Sequence, residues 1–375
     1  MEVIEMSNAP LPDTGLLGAS EKLGTLAAQH AAEADASRTL SPEIVDGLRE
    51  AGFARHFVSA RWGGREGTFG ELTQGVLNVS RGCASTGWCA SLLAASSRYA
   101  AHLPEAGHEE LWGSSPDTCL VTGLVPMGKA EQVDGGHRVT GRWDYISGVD
   151  FADWALLCAS IPGDPAPELR FFTLPRGSFE VLRTWDCAGM RATGSHTVIV
   201  DDVFVPAHLS FARADMEAGR SAWSTQPTHN IPFPAFGGLT FIAPAVGAAE
   251  GALKAAAAVL RGKRVLEATQ VDLVRASAKI DTSRFLVEQN ARVIDERTFA
   301  PALLARNQRN AAFAAEQVTE ALSGLLSATG TRGMSESGAL QRFWRDINAA
   351  ASHVALRYDI TRAAANYANA LFEES

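Results

Sequence analysis

The side chains best suited to chemistry are a histidine and a group of basic residues in the last third of the sequence. His353 follows Asp346 by seven residues, a spacing that would place both on one face of a helix. A neutral imidazole there could accept a proton from a phenol or an amine, although a core histidine satisfied by a carbonyl has the same signature. Arg261, Lys263 and Arg264 follow an alanine-rich stretch and would suit a phosphate, or simply a solvated helix end.

Several familiar catalytic patterns are absent from the sequence. It has no G-x-x-x-x-G-K-[ST] phosphate loop, no G-x-G-x-x-G turn, no G-x-S-x-G elbow and no H-E-x-x-H zinc motif. His102 and His108 are six residues apart, which does not put them on one helical face, and the five cysteines include no C-x-x-C pair. The motifs therefore predict no metal site and no disulfide framework, and the thiols are expected to be reduced.

Composition and charge bound the function class. The 375 residues are 46% hydrophobic and 20% charged, which predicts a folded chain of two or three units. A formal net charge of -9 argues against a nucleic-acid partner. Residues 1–18 lack the pattern of a signal peptide and are expected to form a short mobile tail. Glu250 and Lys254 interrupt the apolar stretch Leu239–Leu260, so a buried helix is favoured over a membrane span and a cytoplasmic location is expected.

The periodicity of apolar residues divides the chain into three parts that would position these side chains. Residues 16–117 follow a helical period, residues 118–211 alternate with period two, and residues 212–375 hold a proline-bearing connection and then alanine-rich helices. The order predicts an α+β fold with an N-terminal helical domain, a middle β domain and a C-terminal helical bundle.

Local signals mark individual elements within these parts. Ser41-Pro42-Glu43 predicts a helix start, and Asp134-Gly135-Gly136 predicts a hairpin turn. Residues 196–206 predict a strand, and residues 212–240 predict a long connection of functional importance. Between residues 340 and 358 the apolar positions form one stripe, which predicts a single last helix.

Short matches spread over about residues 20–370 resemble the acyl-CoA dehydrogenase superfamily. They follow the family's order: Ser85-Thr86-Gly87-Trp88, Val121-Thr122, Gly141-Arg142-Trp143, Ile146-Ser147-Gly148, Ala152-Asp153-Trp154, Gly189 to Ser195, Val205-Pro206 and Gln341 to Asp346. Each match is weak alone, but their shared order is specific. The resemblance implies a β-barrel or sandwich in the middle and a four-helix bundle at the end.

Within that superfamily the sequence is most similar to the two-component flavin-dependent monooxygenases. The similarity rests on S-T-G-W, on G-R-W followed by S-G, on T-G-S and on R-D followed by His. It implies a homotetrameric oxygenase that takes reduced flavin, FMNH2 or FADH2, from a separate reductase. With O2 it would hydroxylate an aromatic, heteroaromatic or amine small molecule through a C4a-hydroperoxyflavin.

Two other functions stay open on the sequence. An FAD-dependent acyl-CoA dehydrogenase needs a carboxylate base, and such enzymes commonly carry a Glu about two helical turns after the R-D pair. Here that region is Ser352-His353-Val354-Ala355, which leaves Glu250 or Glu267 on earlier helices as the alternatives. A non-catalytic relative that binds a ligand or acts as a scaffold is the third function.

The resemblance gives Ser147, Tyr145 and Thr122 roles at the flavin. Ser147 aligns with the hydroxyl that bonds flavin N5, where it would help to retain the N5 proton, although a turn serine before Gly148 would have the same pattern. Tyr145, expected on the same side of a strand as Ser147, would pack against the isoalloxazine. Thr122 would supply a second hydroxyl.

Four further residues complete the predicted cofactor site: Trp88, Arg191, Ser195 and Arg264. Packing at the domain junction is the alternative for Trp88, and a structural ion pair is the alternative for Arg191.

The predicted catalytic residues are His353 and Ser147, and the predicted substrate-binding residues are Ser96 and His353. Phenol hydroxylases of this group usually have a second histidine where this sequence has Ser96, so the substrate class stays open. Arg345 and Asp346 are expected to form a buried structural ion pair.

Overall fold

The N-terminal part of the protein is helical. A computed structural model describes residues 15–359 and 361–373. The part consists of five helices: α1 (Gly15–Ser37), α2 (Pro42–Ala51), α3 (Phe69–Ser80), α4 (Ala84–Ala100) and α5 (Glu105–Trp112). The helix start at Ser41 is confirmed, because its Oγ accepts a hydrogen bond from the N–H of Ile44. The tail prediction is wrong for residues 15–18, which already belong to α1, and residues 1–14 lie outside the described residues.

The middle part is one seven-stranded sheet, which confirms the α+β fold class. Its strands are β1 (Leu120–Val133), β2 (Gly136–Ile146), β3 (Trp154–Ile161), β4 (Glu168–Pro175), β5 (Glu180–Leu182), β6 (His196–Pro206) and β7 (Ser210–Ala212). Their spatial order is β5-β6-β2-β1-β3-β4-β7. The predicted hairpin is confirmed: Val133 pairs with Gly136, and Gly135 adopts a φ of 76°, which glycine tolerates without strain.

One end of the sheet gathers three loops that are distant in sequence. Strands β1 and β6 both run antiparallel to β2, so the starts of β1 and β6 lie beside the end of β2. Ile146, the last residue of β2, pairs with His196, the first residue of β6. The register therefore brings Thr122, Ser147 and Ser195 to the same end of the sheet.

The C-terminal part is a bundle around one long apolar helix. Its helices are α6 (Arg213–Ala218), α7 (Phe233–Leu260), α8 (Glu267–Asp295), α9 (Pro301–Thr329), α10 (Ala339–Ala351) and α11 (Ala363–Glu373). By length and composition α7 could cross a membrane, but most of it is buried, as in the core helix of a bundle. Its alanines and glycines let α3, α4, α8, α9 and α10 pack closely around it.

The structure corrects two sequence predictions in this part. The long connection is shorter than residues 212–240, because α6 occupies 213–218 and α7 begins at Phe233. The stripe between residues 340 and 358 is not one helix. α10 ends at Ala351, and His353, with extended backbone angles, starts a separate short 3-10 helix at Val354–Leu356.

Arg98 anchors the remaining connection to α4. Its side chain is fully buried and donates to the carbonyls of Thr228 at 2.6 Å, His229 at 3.2 Å and Ile231 at 2.8 Å. The guanidinium also lies 4.0 Å from the ring centroid of Phe236. Burial lowers the pKa of Arg98 to about 9, so the side chain stays charged at neutral pH.

Replacing Arg98 with Met should lower the free energy of unfolding by about 3 kcal/mol, because three carbonyls lose their donor in a buried setting. Urea denaturation would measure the change. Arg220→Met alters an exposed arginine of the same connection and should change stability by less than about 0.5 kcal/mol. Equal stability of the two variants would contradict the anchoring role.

Candidate active site

Three hydroxyl groups form a continuous hydrogen-bonded chain at the end of the sheet where β2 ends and β6 begins. Ser147 Oγ lies 2.7 Å from Ser195 Oγ, which lies 2.6 Å from Thr193 Oγ1. Thr193 Oγ1 donates to the carbonyl of Met190 at 2.9 Å. Thr193 and Ser195 are buried and Ser147 is half-buried, so the chain has its accessible end at Ser147.

The chain is built on a tight turn that α10 fixes in place. Met190 and Gly194 both have a φ of 53°, with a short 3-10 helix between them. The N–H of Met190 donates to Asp346 Oδ1 at 2.6 Å, and Trp185 Nε1 donates to the carbonyl of Met190 at 2.9 Å. Burial raises the pKa of Asp346 to about 6.

The predicted Arg345–Asp346 ion pair is wrong. Arg345 reaches Asp35 on α1 with an N–O distance of 2.7 Å, whereas Asp346 points the other way, to the backbone of Met190. Adjacent helix residues face in different directions, so the two side chains serve separate contacts.

Aromatic side chains connect the hydroxyl chain to the helical bundle. Trp88 Nε1 on α4 donates to Ser147 Oγ at 3.1 Å. Phe241 on α7 lies 5.4 Å from Trp88 between ring centroids. The imidazole of His353 stacks on Phe241 at 3.9 Å and meets Trp88 edge-on at 5.7 Å. Trp88, Ser147 and His353 therefore belong to one cluster, as does Ser195 through Ser147.

Contacts and burial fix the protonation of His353. Its Nδ1 accepts a hydrogen bond from the N–H of Ala355 at 3.2 Å, so the neutral ring carries its proton on Nε2. Burial lowers the pKa of His353 to about 4. At neutral pH the free nitrogen of His353 is a hydrogen-bond donor, which corrects the expectation of a proton acceptor. The shared helical face with Asp346 is also wrong, because α10 ends at Ala351.

A second hydroxyl pair joins β1 to α4. Thr122 Oγ1 donates to Ser96 Oγ at 2.8 Å. Ser96 follows Trp88 by eight residues on α4, a rise of about 12 Å along the helix. The predicted flavin hydroxyl and the predicted substrate residue therefore meet each other, about two helical turns along α4 from the Trp88 cluster.

Tyr145 lies outside the cluster. Its side chain is 75% exposed and meets Trp185 edge-on at 6.2 Å. The expected common strand face with Ser147 is wrong, because β2 ends at Ile146 and Tyr145 has a φ of 66°, which turns its side chain away.

Two predicted arginines have other roles: one lies in the turn but pairs with α1, and the other is distant. Arg191 pairs with Asp35 of α1 at 3.7 Å, which is the structural alternative. Arg264 is exposed beyond the end of α7. Within one chain it lies far from the cluster, since Phe241 and Leu260 are about 28 Å apart along the helix.

Sequence reasoning missed two members of the cluster. Thr193 is the threonine of the T-G-S match, so the sequence shows its residue type. Only the folded turn shows that its hydroxyl makes a hydrogen bond with Ser195. Phe241 gave no signal, because it is one of many apolar residues on a helix that is apolar all round.

Neither glutamate proposed for a dehydrogenase lies at the cluster. Glu250 accepts hydrogen bonds from Arg81 and, at 2.8 Å, from Arg284, and Glu267 is exposed at the start of α8.

Within residues 15–359 and 361–373, no group of three or more His, Cys, Asp or Glu side chains is placed to hold a metal ion. The five cysteines are free thiols.

Comparison with known proteins gives consistent matches along the chain. A family model described as acyl-CoA dehydrogenase, C-terminal domain, matches residues 239–358. The flavin-dependent monooxygenase oxygenase subunit HsaA of Rhodococcus jostii (strain RHA1) is 31% identical over 349 residues, covering 87% of this chain and 91% of the relative. The oxygenase component of the FADH2-dependent resorcinol hydroxylase of Rhizobium sp. (strain MTP-10005) is 29% identical, and 95% of each chain is covered.

A solved structure extends the likeness to three dimensions. XiaF from Streptomyces sp., solved in complex with FADH2 and glycerol, superposes with a TM-score of 0.87 at 28% identity. The match covers 96% of this chain and 95% of XiaF, so all three parts of the fold take part.

The neutral histidine makes stability depend on pH. Between pH 6.5 and 4 the unfolded chain protonates His353 while the folded chain, with its pKa of about 4, resists, so the free energy of unfolding should fall as the pH falls. His353→Asn keeps an acceptor for the N–H of Ala355 but does not titrate, and should show a shallower loss in urea denaturation at pH 6.5, 5.5 and 4.5. Ser352→Ala, an exposed neighbour, should keep the wild-type slope. Identical slopes for His353→Asn and wild type would contradict a half-buried imidazole with a lowered pKa.

Proposed function

Because this chain belongs to the two-component flavin-dependent monooxygenases with the acyl-CoA dehydrogenase-like fold, we propose that it hydroxylates an aromatic small molecule at the cluster of Trp88, Ser147 and His353. When bound, reduced flavin supplies the two electrons with which O2 delivers one oxygen atom to the substrate and one to water. The observation that carries the placement is the hydroxyl chain that ends at Ser147, which Trp88 connects to the neutral His353.

The residues of the cluster suit a flavin ring. Ser147 offers a half-buried hydroxyl, and Thr122 offers another near the same sheet end. Trp88 and Phe241 give an apolar wall that excludes water from the ring. Ser147 would contact flavin N5, and Thr122 would lie near the pyrimidine edge.

His353 narrows the substrate class. Its Nε2–H donates, so a substrate held there must offer an acceptor, such as the oxygen of a phenol or phenolate. A protonated amine offers no acceptor and fits less well. One relative is named for resorcinol, a phenol, which agrees with this chemistry. We therefore favour an oxygen-bearing aromatic ring that His353 orients toward the flavin.

The reductase is a separate partner, as expected for an oxygenase component, and its contact with this chain would be transient. Free thiols and an acidic surface suit the cytoplasm, where such a reductase would supply reduced flavin.

A homotetramer would cover the outer face of α8. Val271, Val274 and Phe285 lie on one face of this helix, and Val274 and Phe285 are 68% and 67% exposed in the single chain. Apolar side chains grouped in this way mark a protein–protein contact. A second copy of the chain is the natural occupant in a homotetramer.

Replacing His353 with Asn should lower the yield of hydroxylated product per reduced flavin by about tenfold, because the shorter Asn side chain keeps the capping acceptor but places no donor at the position of Nε2. His353→Gln places an N–H near the former Nε2 and should retain more of the yield. Product and H2O2 would be quantified with a flavin reductase, FMN or FAD, and a panel of phenols including resorcinol.

Two outcomes of this assay would count against the proposal. Equal yields from His353→Asn and His353→Gln would contradict the donor role of His353. A wild-type protein that binds reduced flavin but hydroxylates no aromatic compound would contradict the proposed substrate class.

Replacing both Val274 and Phe285 with Glu should break the assembly, because charges would be buried at the contact. Multi-angle light scattering should then give a smaller mass than for wild type. Leu17→Glu, the same type of change at an exposed apolar residue of α1, should leave the mass unchanged. A monomeric wild type at micromolar concentration would refute the tetramer.

A further inference from the structure

We propose that Thr193 is a positioning residue that sets the direction of the hydroxyl chain. When the hydroxyl protons point from Ser147 toward Met190, the accessible side of Ser147 can only accept a hydrogen bond. The site then discriminates between the two redox states of the flavin. The inference rests on the proposed placement of flavin N5 beside Ser147.

The direction of the chain follows from its buried end. A carbonyl oxygen can only accept, so the 2.9 Å contact between Thr193 Oγ1 and the carbonyl of Met190 uses the single proton of Thr193. The 2.6 Å contact between Thr193 and Ser195 must then use the proton of Ser195. By the same step, the 2.7 Å contact between Ser195 and Ser147 uses the proton of Ser147.

Two of the three hydrogen-bonding sites of the Ser147 hydroxyl are consequently occupied. Its proton goes to Ser195, and one lone pair receives the indole N–H of Trp88 at 3.1 Å. The remaining lone pair is an acceptor. Because Ser195 and Thr193 are buried, this lone pair is the group of the chain that a ligand meets.

The carbonyl at which the chain starts is held in place beside Thr193. Met190 is held through its N–H by Asp346 at 2.6 Å and through its carbonyl by Trp185 at 2.9 Å. Its left-handed backbone, with a φ of 53°, also sets the orientation of the next peptide units. Thr193 therefore always meets an acceptor at this end.

The redox states of a flavin differ at the atom that would face Ser147. Reduced flavin carries a proton on N5 and can donate it to the free lone pair. Oxidised flavin has an unprotonated N5, so two acceptors would face each other without a proton between them. The direction set by Thr193 therefore favours the reduced form and retains its N5 proton.

Thr193→Val tests this direction with a side chain of nearly the same shape. Without the hydroxyl of Thr193, Ser195 can turn its proton to Ser147, and Ser147 can donate to an unprotonated N5. The Kd of oxidised flavin should fall and the Kd of reduced flavin should rise. The ratio of the oxidised-flavin Kd to the reduced-flavin Kd should therefore fall by about tenfold. Equilibrium dialysis of FMN and FAD, oxidised in air and reduced under anaerobic conditions, measures both constants without turnover.

Three variants make the result specific. Thr193→Ser restores the hydroxyl and should restore the wild-type ratio. Ser195→Ala interrupts the chain one step later and should also lower the ratio, which keeps the test available if Thr193→Val folds poorly. Thr173→Val removes a buried hydroxyl that has no hydrogen-bond partner and should leave the ratio unchanged.

The outcomes separate the inference from the proposed function. General damage would weaken both redox forms in parallel, so a parallel loss or an unchanged ratio in Thr193→Val and Ser195→Ala would overturn the inference. A wild-type protein that binds neither form of FMN or FAD would instead overturn the proposed flavin site.

Discussion

The hydrogen bond from the N–H of Met190 to the carboxylate of Asp346 is the contact on which the site depends. It joins α10 of the bundle to the turn that carries Thr193 and Ser195. A buried carboxylate is costly to ionise, and burial raises the pKa of Asp346 to about 6, so the hydrogen bond to Met190 must meet a structural demand that offsets this cost. The demand is an unusual turn with two left-handed residues, whose backbone groups need fixed partners.

The hydroxyl chain and the aromatic cluster meet because three parts of the chain converge. The sheet supplies Ser147 and the turn, α4 supplies Trp88, and α7 with the segment after α10 supplies Phe241 and His353. Each part alone would leave polar groups facing water. Together they make a boundary at which His353 is neutral and the hydroxyl groups have fixed partners, and such an arrangement suits a reaction that must hold protons in place.

Fold class and many elements were accessible from sequence because their causes are local. The Asp134 to Gly136 turn, the capped start at Ser41 and the strand over residues 196–206 follow from turn chemistry, capping and period-two alternation. Local reasoning failed where a competing contact interrupts a pattern. The apolar stripe continues past Ala351, yet the helix does not, because the Nδ1 of His353 caps a new short helix.

The sequence by itself determined the family resemblance, the order of helical and β parts, and the residue types available for chemistry, since these depend on side-chain identity and short-range periodicity. Only the tertiary structure decided which of them act together. Ser147 and Ser195 are 48 residues apart, and Trp88 lies 59 residues from Ser147. A hydrogen bond requires its two heavy atoms to lie about 3 Å apart, with a tolerance of a few tenths of an ångström, and its proton to lie between them. No spacing rule carries that information across such separations, so the contact at His353 Nδ1 and the hydroxyl chain became visible only in three dimensions.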